Sequence, residues 1–469
     1  MARIIVDDGA FETTITVAII GGGAAGLCAA LAATEAGAEV VVFERDALPQ
    51  GSTSLSAGLI PAPGTKAQAE AGIADSPELF ARDIQAKAHG DADQTVLDLV
   101  AAGAGPAIDW LAEAHGLAFT VIADFSYPGH SARRMHGLAS RSGAELIDRL
   151  RAAVERADIP IMTEAHVTGL VVSGSGDLRG LEITRPDGSA ERIGATAIVL
   201  ACNGYGGNKA LVAEHIPDLK DALYFGHPGN QGDAVLWGRG LGVELRHMSG
   251  HQGHGSVAHP HGILVSWAVI MEGGFQVNAE GRRFWNESQG YSEAALAVLG
   301  QPGGVAFDIF DARIAGIARQ FEDFRRAEAT GAVITAESPE ALAQALKIEP
   351  QVILETLESV ANLKSHGGID TLGRDWSGLP QLESPYQAVR VTGALFHTQG
   401  GLAVDRSARV VKPDGSAIPN LFAAGGAAVG VSGPDASGYL SGNGLVTAVV
   451  LGRIAGTEAA GMVRNAARS

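Results

Sequence analysis

Residues 16–20 (TVAII) are apolar and β-branched without alternation, the pattern of a strand covered on both faces in a parallel sheet. They run into Gly21-Gly22-Gly23-Ala24-Ala25-Gly26 and then LCAALAATEAG, an Ala/Leu-rich helical stretch that stops at Gly37. A second apolar run, EVVVF at 39–43, predicts the next buried strand and closes at Glu44. Together these make the roughly 30 residues of a strand–helix–strand unit. Residues 152–193 alternate (HVTGLVVSG, LRGLEITRPDG, ERI) between turn residues, which predicts a meander or three-stranded insertion. ATAIVLAC at 195–202 predicts another buried strand, broken by Asn203-Gly204.

From about residue 244 the texture changes. His and Gly crowd 247–261, and 308–358 reads as mainly helical and amphipathic. Buried-strand texture returns from 388 through LAVD, ARVV and NLFAAGG, and 444–460 predicts a final helix. The expected fold class is α/β. A discontinuous Rossmann-type nucleotide-binding domain (1–243 and 389–469) is interrupted by an α+β capping domain over 244–388.

Composition bounds the function. The chain has 469 residues, and 52 Asp and Glu against 34 Lys and Arg give a net charge of −18. That balance argues against a nucleic-acid or anionic-membrane partner. Two cysteines, Cys28 and Cys202, cannot make a disulfide framework or a cysteine-rich metal site. The first twenty residues carry two Asp and no basic leader, and no stretch offers about 18 uninterrupted apolar residues. The expectation is a soluble, cytoplasmic protein without membrane insertion.

Gly21-x-Gly23-x-x-Gly26 is weak evidence alone, but here a strand precedes it, a helix follows, and Glu44 ends the next strand 18 residues beyond Gly26. The first Gly permits a tight turn, the second admits a pyrophosphate to the backbone, and the third allows close helix–strand packing. The helix N-terminus adds partial positive charge, and Glu44 suits ribose hydroxyls. This arrangement predicts dinucleotide binding without separating FAD from NAD.

The second half separates them. Residues 392–456 contain HTQGGLAVD, PNLFAAGG and SGNGL, and this block closely resembles the C-terminal flavin-binding segment of the fumarate reductase/succinate dehydrogenase flavoprotein family. AIVLACNGYGGN at 197–208, Gly232-Asp233-Ala234 and GRRFWNE at 281–287 agree with it. The resemblance covers nearly the whole chain and is weakest over 305–385. It implies FAD, held in the first half by Gly21, Gly23, Ala24, Ala25, Gly26, Glu44 and Arg45. It extends to Ser52, Thr53, Ser56, Ala57 and Gly58, then to Val167. It also implies Ala201, Cys202, Asn203, Gly204 and Asn208, with Gly232 and Asp233. From the C-terminal block come His397, Gly425, Gly426, Gly442, Asn443, Gly444 and Leu445. Relatives that bind FAD covalently carry a His soon after the acidic ribose residue; GSTSLSAG at 51–58 has none, so the flavin is expected to be noncovalent. Gly426 stands where relatives usually carry an acidic residue.

The substrate positions depart further. The resemblance places Tyr291 where fumarate reductases have a proton-donating Arg, and Tyr439 where another Arg clamps a carboxylate. Tyr-x-Ser-Gly at 439–442 looks like the 3-ketosteroid dehydrogenase branch, with Tyr127 near a further active-site Tyr and Ser441 as a relay. His251 and His397 sit at the two substrate-histidine positions of fumarate reductases. His254, His259 and His261 lack the spacing of a zinc site, and no metal is expected. Arg133, Arg134 and His136 resemble a stretch near the flavin, or form ion pairs between domains.

The expected activity is an FAD-dependent oxidoreductase of CH–CH bonds. It interconverts a cyclic or steroid-like ketone and its α,β-unsaturated form, with a small-molecule carbonyl substrate and an unidentified electron acceptor or donor. The alternative is a fumarate-reductase-like enzyme acting on an unsaturated carboxylate or keto acid. A flavin-binding protein without catalysis is a third reading, against which the polar Tyr/Ser/Asn mouth argues.

Overall fold

The computed structural model describes residues 2–123 and 127–466. Strand β1 (Thr13–Ile20) buries Val17–Ile20, as its unalternating run requires, and leads through the glycine turn into helix α1 (Ala24–Glu35). Strand β2 (Val40–Phe43) returns parallel to β1, with Val17 opposite Val40 and Ile20 opposite Phe43. On the other side of β1 lies strand β3 (Ala190–Leu200), also parallel, with Leu200 opposite Ile20. The predicted meander is present as strands His166–Val172, Leu178–Thr184 and the first half of β3, paired antiparallel. Its first residues are instead helical, because Leu146, Ile147, Leu150, Ala153 and Val154 form one apolar face of the helix Gly143–Arg156. Strand Ala417–Ala423 adds to β3 in parallel, so both ends of the chain build this sheet.

A second sheet is antiparallel at its centre. Helix α2 (Tyr291–Leu299) packs on strands β4 (His251–Ala258) and β5 (Tyr386–Thr398), and β5 pairs with β4 and with Val305–Asp311. Every residue of Val305–Asp311 is buried, so the run lacks the alternation that betrays a half-exposed strand, and the helical reading from 308 fails at its start. Helices do follow, at Ala312–Ala318, Glu322–Ala329, Pro339–Leu346 and Pro350–His366. Leu223–Tyr224 and all of β5 belong to this sheet, although the boundaries expected at 244 and 388 put Leu223–Tyr224 and residues 389–398 in the flavin-binding segments.

Helix α3 (Asn443–Ala466) runs back along α1. Gly452 and Gly456 make the approach possible: a Cβ on either would overlap the Ala25 or Ala29 carbonyl of α1. By length and composition α3 and Gln94–Glu113 are apolar enough to cross a membrane, yet more than half of each is buried inside this fold. Gly456→Ala should therefore force the two helices apart and lower stability by about 1–3 kcal/mol, the usual penalty for overpacking. Urea unfolding with excess FAD measures this, and an unchanged midpoint would contradict the close α1–α3 contact.

Candidate active site

The first glycine turn is built for close approach. Gly21 has φ +109°, and a Cβ there would lie 2.5 Å from the Ala201 carbonyl oxygen. A Cβ on Gly26 would overlap the Gly21 carbonyl, so Gly26 packs helix on strand and does not face the cavity. Helix α1 begins at Gly23 with no side-chain cap and no acidic residue in its first turn, which leaves its N-terminal partial charge directed at the cavity floor. Glu44, only 8% exposed, accepts from the Gly22 N–H at 2.8 Å and the Asp46 N–H at 2.9 Å. Thr53 Oγ1 accepts from the Ala24 N–H at 3.0 Å. From across the cavity, Asn230 donates to Ser52 Oγ and Arg45 donates to the Gly229 carbonyl, both at 2.8 Å.

One cavity runs from this turn to the second sheet, with an empty volume of about 1850 Å³ including its mouth. Gly21, Gly23, Ala24, Ala25, Glu44 and Arg45 line one end, with Ser52, Thr53, Ser56, Ala57 and Val167. Ala201, Cys202, Asn203 and Asp233 continue it, and Gly425, Gly426, Gly442, Gly444 and Leu445 complete the wall where α3 starts. Two helix N-termini, a cradle of glycines and an oriented buried carboxylate fit an anionic dinucleotide with a ribose diol.

Five expected residues besides Gly26 also lie off the cavity wall and have structural partners. Gly58, at φ +66°, turns against the Ser142 carbonyl, and Gly204 packs on Thr398. Asn208 caps the helix Lys209–His215, Gly232 begins the helix Asp233–Leu241 at φ +80°, and Asn443, fully buried, donates to Ser432 Oγ. Gly426 has a local reason to lack the acidic side chain of relatives: a Cβ there would overlap Asn203 Oδ1, which fills that space.

At the far end stand three tyrosines. Tyr291 opens α2 behind Gly290, whose φ of +137° suits glycine. Its ring centroid lies 6.1 Å from that of Tyr439 and 6.4 Å from that of Tyr127. Tyr439 OH accepts from the Gly444 N–H at 3.3 Å and is hydrogen-bonded to Tyr291; Tyr291 is hydrogen-bonded in turn to Ser441, and Tyr127 to Ser266. Burial pushes Tyr127 and Tyr439 up to about 12 and raises Tyr291 well above the ordinary phenol value. Residues 124–126, which lead into Tyr127, lie outside the described residues.

The histidines divide unexpectedly. His397 lines the cavity, with Gln399 Nε2 donating to its Nδ1 at 2.8 Å. His251 does not line it; its Nδ1 donates to the Ser249 carbonyl at 2.8 Å, fixing a loop. The cavity histidine of β4 is His254, beside Gln252. Period-2 alternation puts 252 and 254 on one face and 251 on the other, a signal present in the sequence and not used. His254 stacks between Tyr291 at 4.8 Å and Phe396 at 5.1 Å. Sequence reasoning also missed Trp267, Phe225, Ser266 and Arg141 along this end. Arg134 is wholly buried and pairs with Asp75 at 2.9 Å and with Asp83, bracing the segment from which His130 reaches the Ser441 carbonyl at 3.1 Å. His136 bonds Thr65, away from the cavity.

A family model for an FAD binding domain matches residues 16–445. A probable fumarate reductase of Shewanella frigidimarina is 32% identical over 456 residues, covering 96% of this chain and 76% of the relative. A 4-oxocyclohexanecarboxylate 2-dehydrogenase of Sinomonas cyclohexanicum is 25% identical, covering 92% of each. Among solved structures, the open conformation of a flavocytochrome c3 fumarate reductase superposes with TM-score 0.81 at 30% identity, over 97% of this chain and 79% of that one. A 3-ketosteroid-Δ4-(5α)-dehydrogenase of Rhodococcus jostii gives 0.76 at 23% identity, over 98% and 99%, a likeness of fold.

Two outcomes test the cofactor end. Acid precipitation should release intact FAD into the supernatant, and flavin retained in the pellet would mean a covalent link. Glu44→Gln should weaken FAD binding about 10–100-fold, because hydrogen bonds to a charged group are worth about 1.5–3 kcal/mol. Flavin fluorescence on titrating the apoprotein reads the change, and an unaltered Kd would remove Glu44 from the ribose site.

Proposed function

The chain belongs to the FAD binding domain family, among the fumarate reductase-like flavoproteins, and on that premise we propose that it desaturates a ketone next to its carbonyl, or reduces the conjugated enone. It is an FAD-dependent CH–CH oxidoreductase; the ketone is the proposal. The observation that carries it is the cluster Tyr127–Tyr291–Tyr439 at the start of α3, with phenols at the positions the resemblance assigns to two arginines. A neutral phenol hydrogen-bonds a carbonyl oxygen well but gives a carboxylate no counter-charge.

A flavin held by the glycine turn, Glu44, Thr53 and the start of α3 would supply hydride exchange with one substrate carbon. The chain's own residues handle the rest. The Gly444 N–H at the start of α3 donates to the Tyr439 hydroxyl, whose own proton polarises a carbonyl and holds the charge of an enolate, helped by the helix N-terminus. Tyr291 moves the proton at the neighbouring carbon, and Ser441 connects its hydroxyl to the backbone turn. Trp267, Phe225 and Phe396 keep bulk water off this chemistry. We take 244–388 as the cap, and its ties to the remainder include Lys87 to Glu293 and Arg141 to Gln320.

The 32% identity to a probable fumarate reductase favours a second reading, reduction of an unsaturated carboxylate. It lacks cations at the two substrate positions. Because burial raises all three phenol pKa values, the neutral donor form persists as pH rises. Turnover limited by Tyr439 should thus show no loss up to the ordinary phenol value of about 10.

Tyr439→Phe and Tyr291→Phe should each keep FAD and fold while turnover falls about 10²–10⁴-fold, the usual weight of a positioned acid–base group. Tyr439→Phe should lose solvent exchange of the hydrogen beside the carbonyl. Tyr291→Phe should slow flavin reduction with substrate still bound. Anaerobic stopped-flow with candidate ketones and unsaturated acids decides it: near-normal rates in both variants would return the lead to the carboxylate reading.

A further inference from the structure

Two cavity histidines have Nδ1 accepting from an N–H donor. His254 Nδ1 accepts the backbone N–H of Ser256 at 3.0 Å. A peptide N–H offers no lone pair, so Nδ1 stays bare and the ring proton sits on Nε2. A second proton would set N–H against N–H. His397 is held the same way, by the amide Nε2 of Gln399 at 2.8 Å. That amide is oriented from behind, since its Oε1 accepts from Ser432 Oγ at 2.9 Å and Ser432 Oγ accepts from Asn443 Nδ2 at 3.0 Å. Gln399, Ser432 and Asn443 are all buried, so the chain of bonds from the first residue of α3 to the imidazole is dry.

Among the described residues, none packed against either ring is charged. His254 is packed by Tyr291, Phe396 and Trp267, and His397 by Gly426 and Gly444. Among the described residues, the charged ones lining this end of the cavity are Arg141, bonded to Gln320, and Asp323. We infer that His254 and His397 are locked as neutral Nε2–H donors, and that each docks an uncharged carbonyl or hydroxyl oxygen of the substrate, not a carboxylate. Resting on the ketone reading, this makes the substrate a ketone with at least one further neutral oxygen. A single N–H satisfies such an oxygen, whereas a carboxylate buried against neutral donors is left without a counter-charge. Burial acts in the same direction, lowering His254 to about 3 and His397 to about 4.

Gln399→Glu reverses the lock at one histidine. A carboxylate can only accept, so His397 must present Nδ1–H, and the adjacent negative charge raises its pKa. Nitrogen-15 NMR of histidine-labelled holoenzyme, from about pH 5.5 to about 8.5, brackets the ordinary imidazole value near 6.5. Both resonances, assigned with His254→Gln and His397→Gln, should stay flat with the proton on Nε2. In Gln399→Glu only His397 should titrate. Titrations followed by flavin absorbance should show a cyclohexanedione binding independently of pH and about 3–10-fold more weakly in Gln399→Leu, the worth of one hydrogen bond. Cyclohexanecarboxylate should gain no affinity on acidification. A second proton on either wild-type histidine in that window, or tighter cyclohexanecarboxylate binding as pH falls, overturns the inference. Failure of the ketone reading is told apart, because ketones would then leave the flavin spectrum unreduced while the histidine signals remain flat.

Discussion

The closeness of α1 and α3 is the constraint on which this molecule turns. Gly452 and Gly456 let α3 lie against the backbone of Ala25 and Ala29, and this contact sets the positions of two helix N-termini at once. One end, at Gly23, faces the pyrophosphate side of the cavity; the other, at Asn443, faces the substrate side. Partial charge at a helix N-terminus fades within the first turn, so a small displacement of either helix would waste it. A single packing decision far from the chemistry therefore aims both sets of donors.

At the substrate end, polarity is delivered almost wholly without net charge. Phenols, imidazoles, an amide and a peptide N–H are arranged in an aromatic box of Trp267, Phe225 and Phe396. Fixed dipoles in a dry site retain their strength because no solvent screens them, and they carry no large desolvation penalty when the substrate leaves. A cation in the same place would stabilise a carboxylate more and a ketone less selectively. The phenol cluster and the tautomer lock are thus two expressions of one electrostatic choice.

What the sequence disclosed follows from how local each requirement is. The β1–α1–β2 unit was legible because burial on both faces, glycine at φ +109° and an acidic strand end are demands met within thirty neighbouring residues. The flavin-binding block was legible as a motif. Gly426 was visible as a departure but not explained, since its reason is Asn203, which lies more than two hundred positions away. Residues 308–311 were read as helical because a strand covered on both faces shows no period. His251 was preferred to His254 by motif position, where alternation along β4 would have chosen the other face. The Gln399–Ser432–Asn443 chain had no sequence signature at all, for three polar residues spread over more than forty positions become connected only when folded.

The phenols and Ser441 come from different parts of the chain, and that division has a consequence for how the site assembles. Tyr291 and His254 belong to the second sheet and the helix packed on it, whereas Tyr439 and Ser441 belong to the turn before α3, and Tyr127 to the segment braced by Arg134. Ring centroids about 6 Å apart are close enough for hydroxyls to meet, and a shift of an ångström between the two bodies would break the hydrogen bonds joining Ser441, Tyr291 and Tyr439. The cofactor end is held within one sheet and keeps its geometry through such a shift. The flavin end and the phenol chain are therefore separable features of this fold: the first is written into α1, β2 and α3, the second depends on how the second sheet meets the turn before α3.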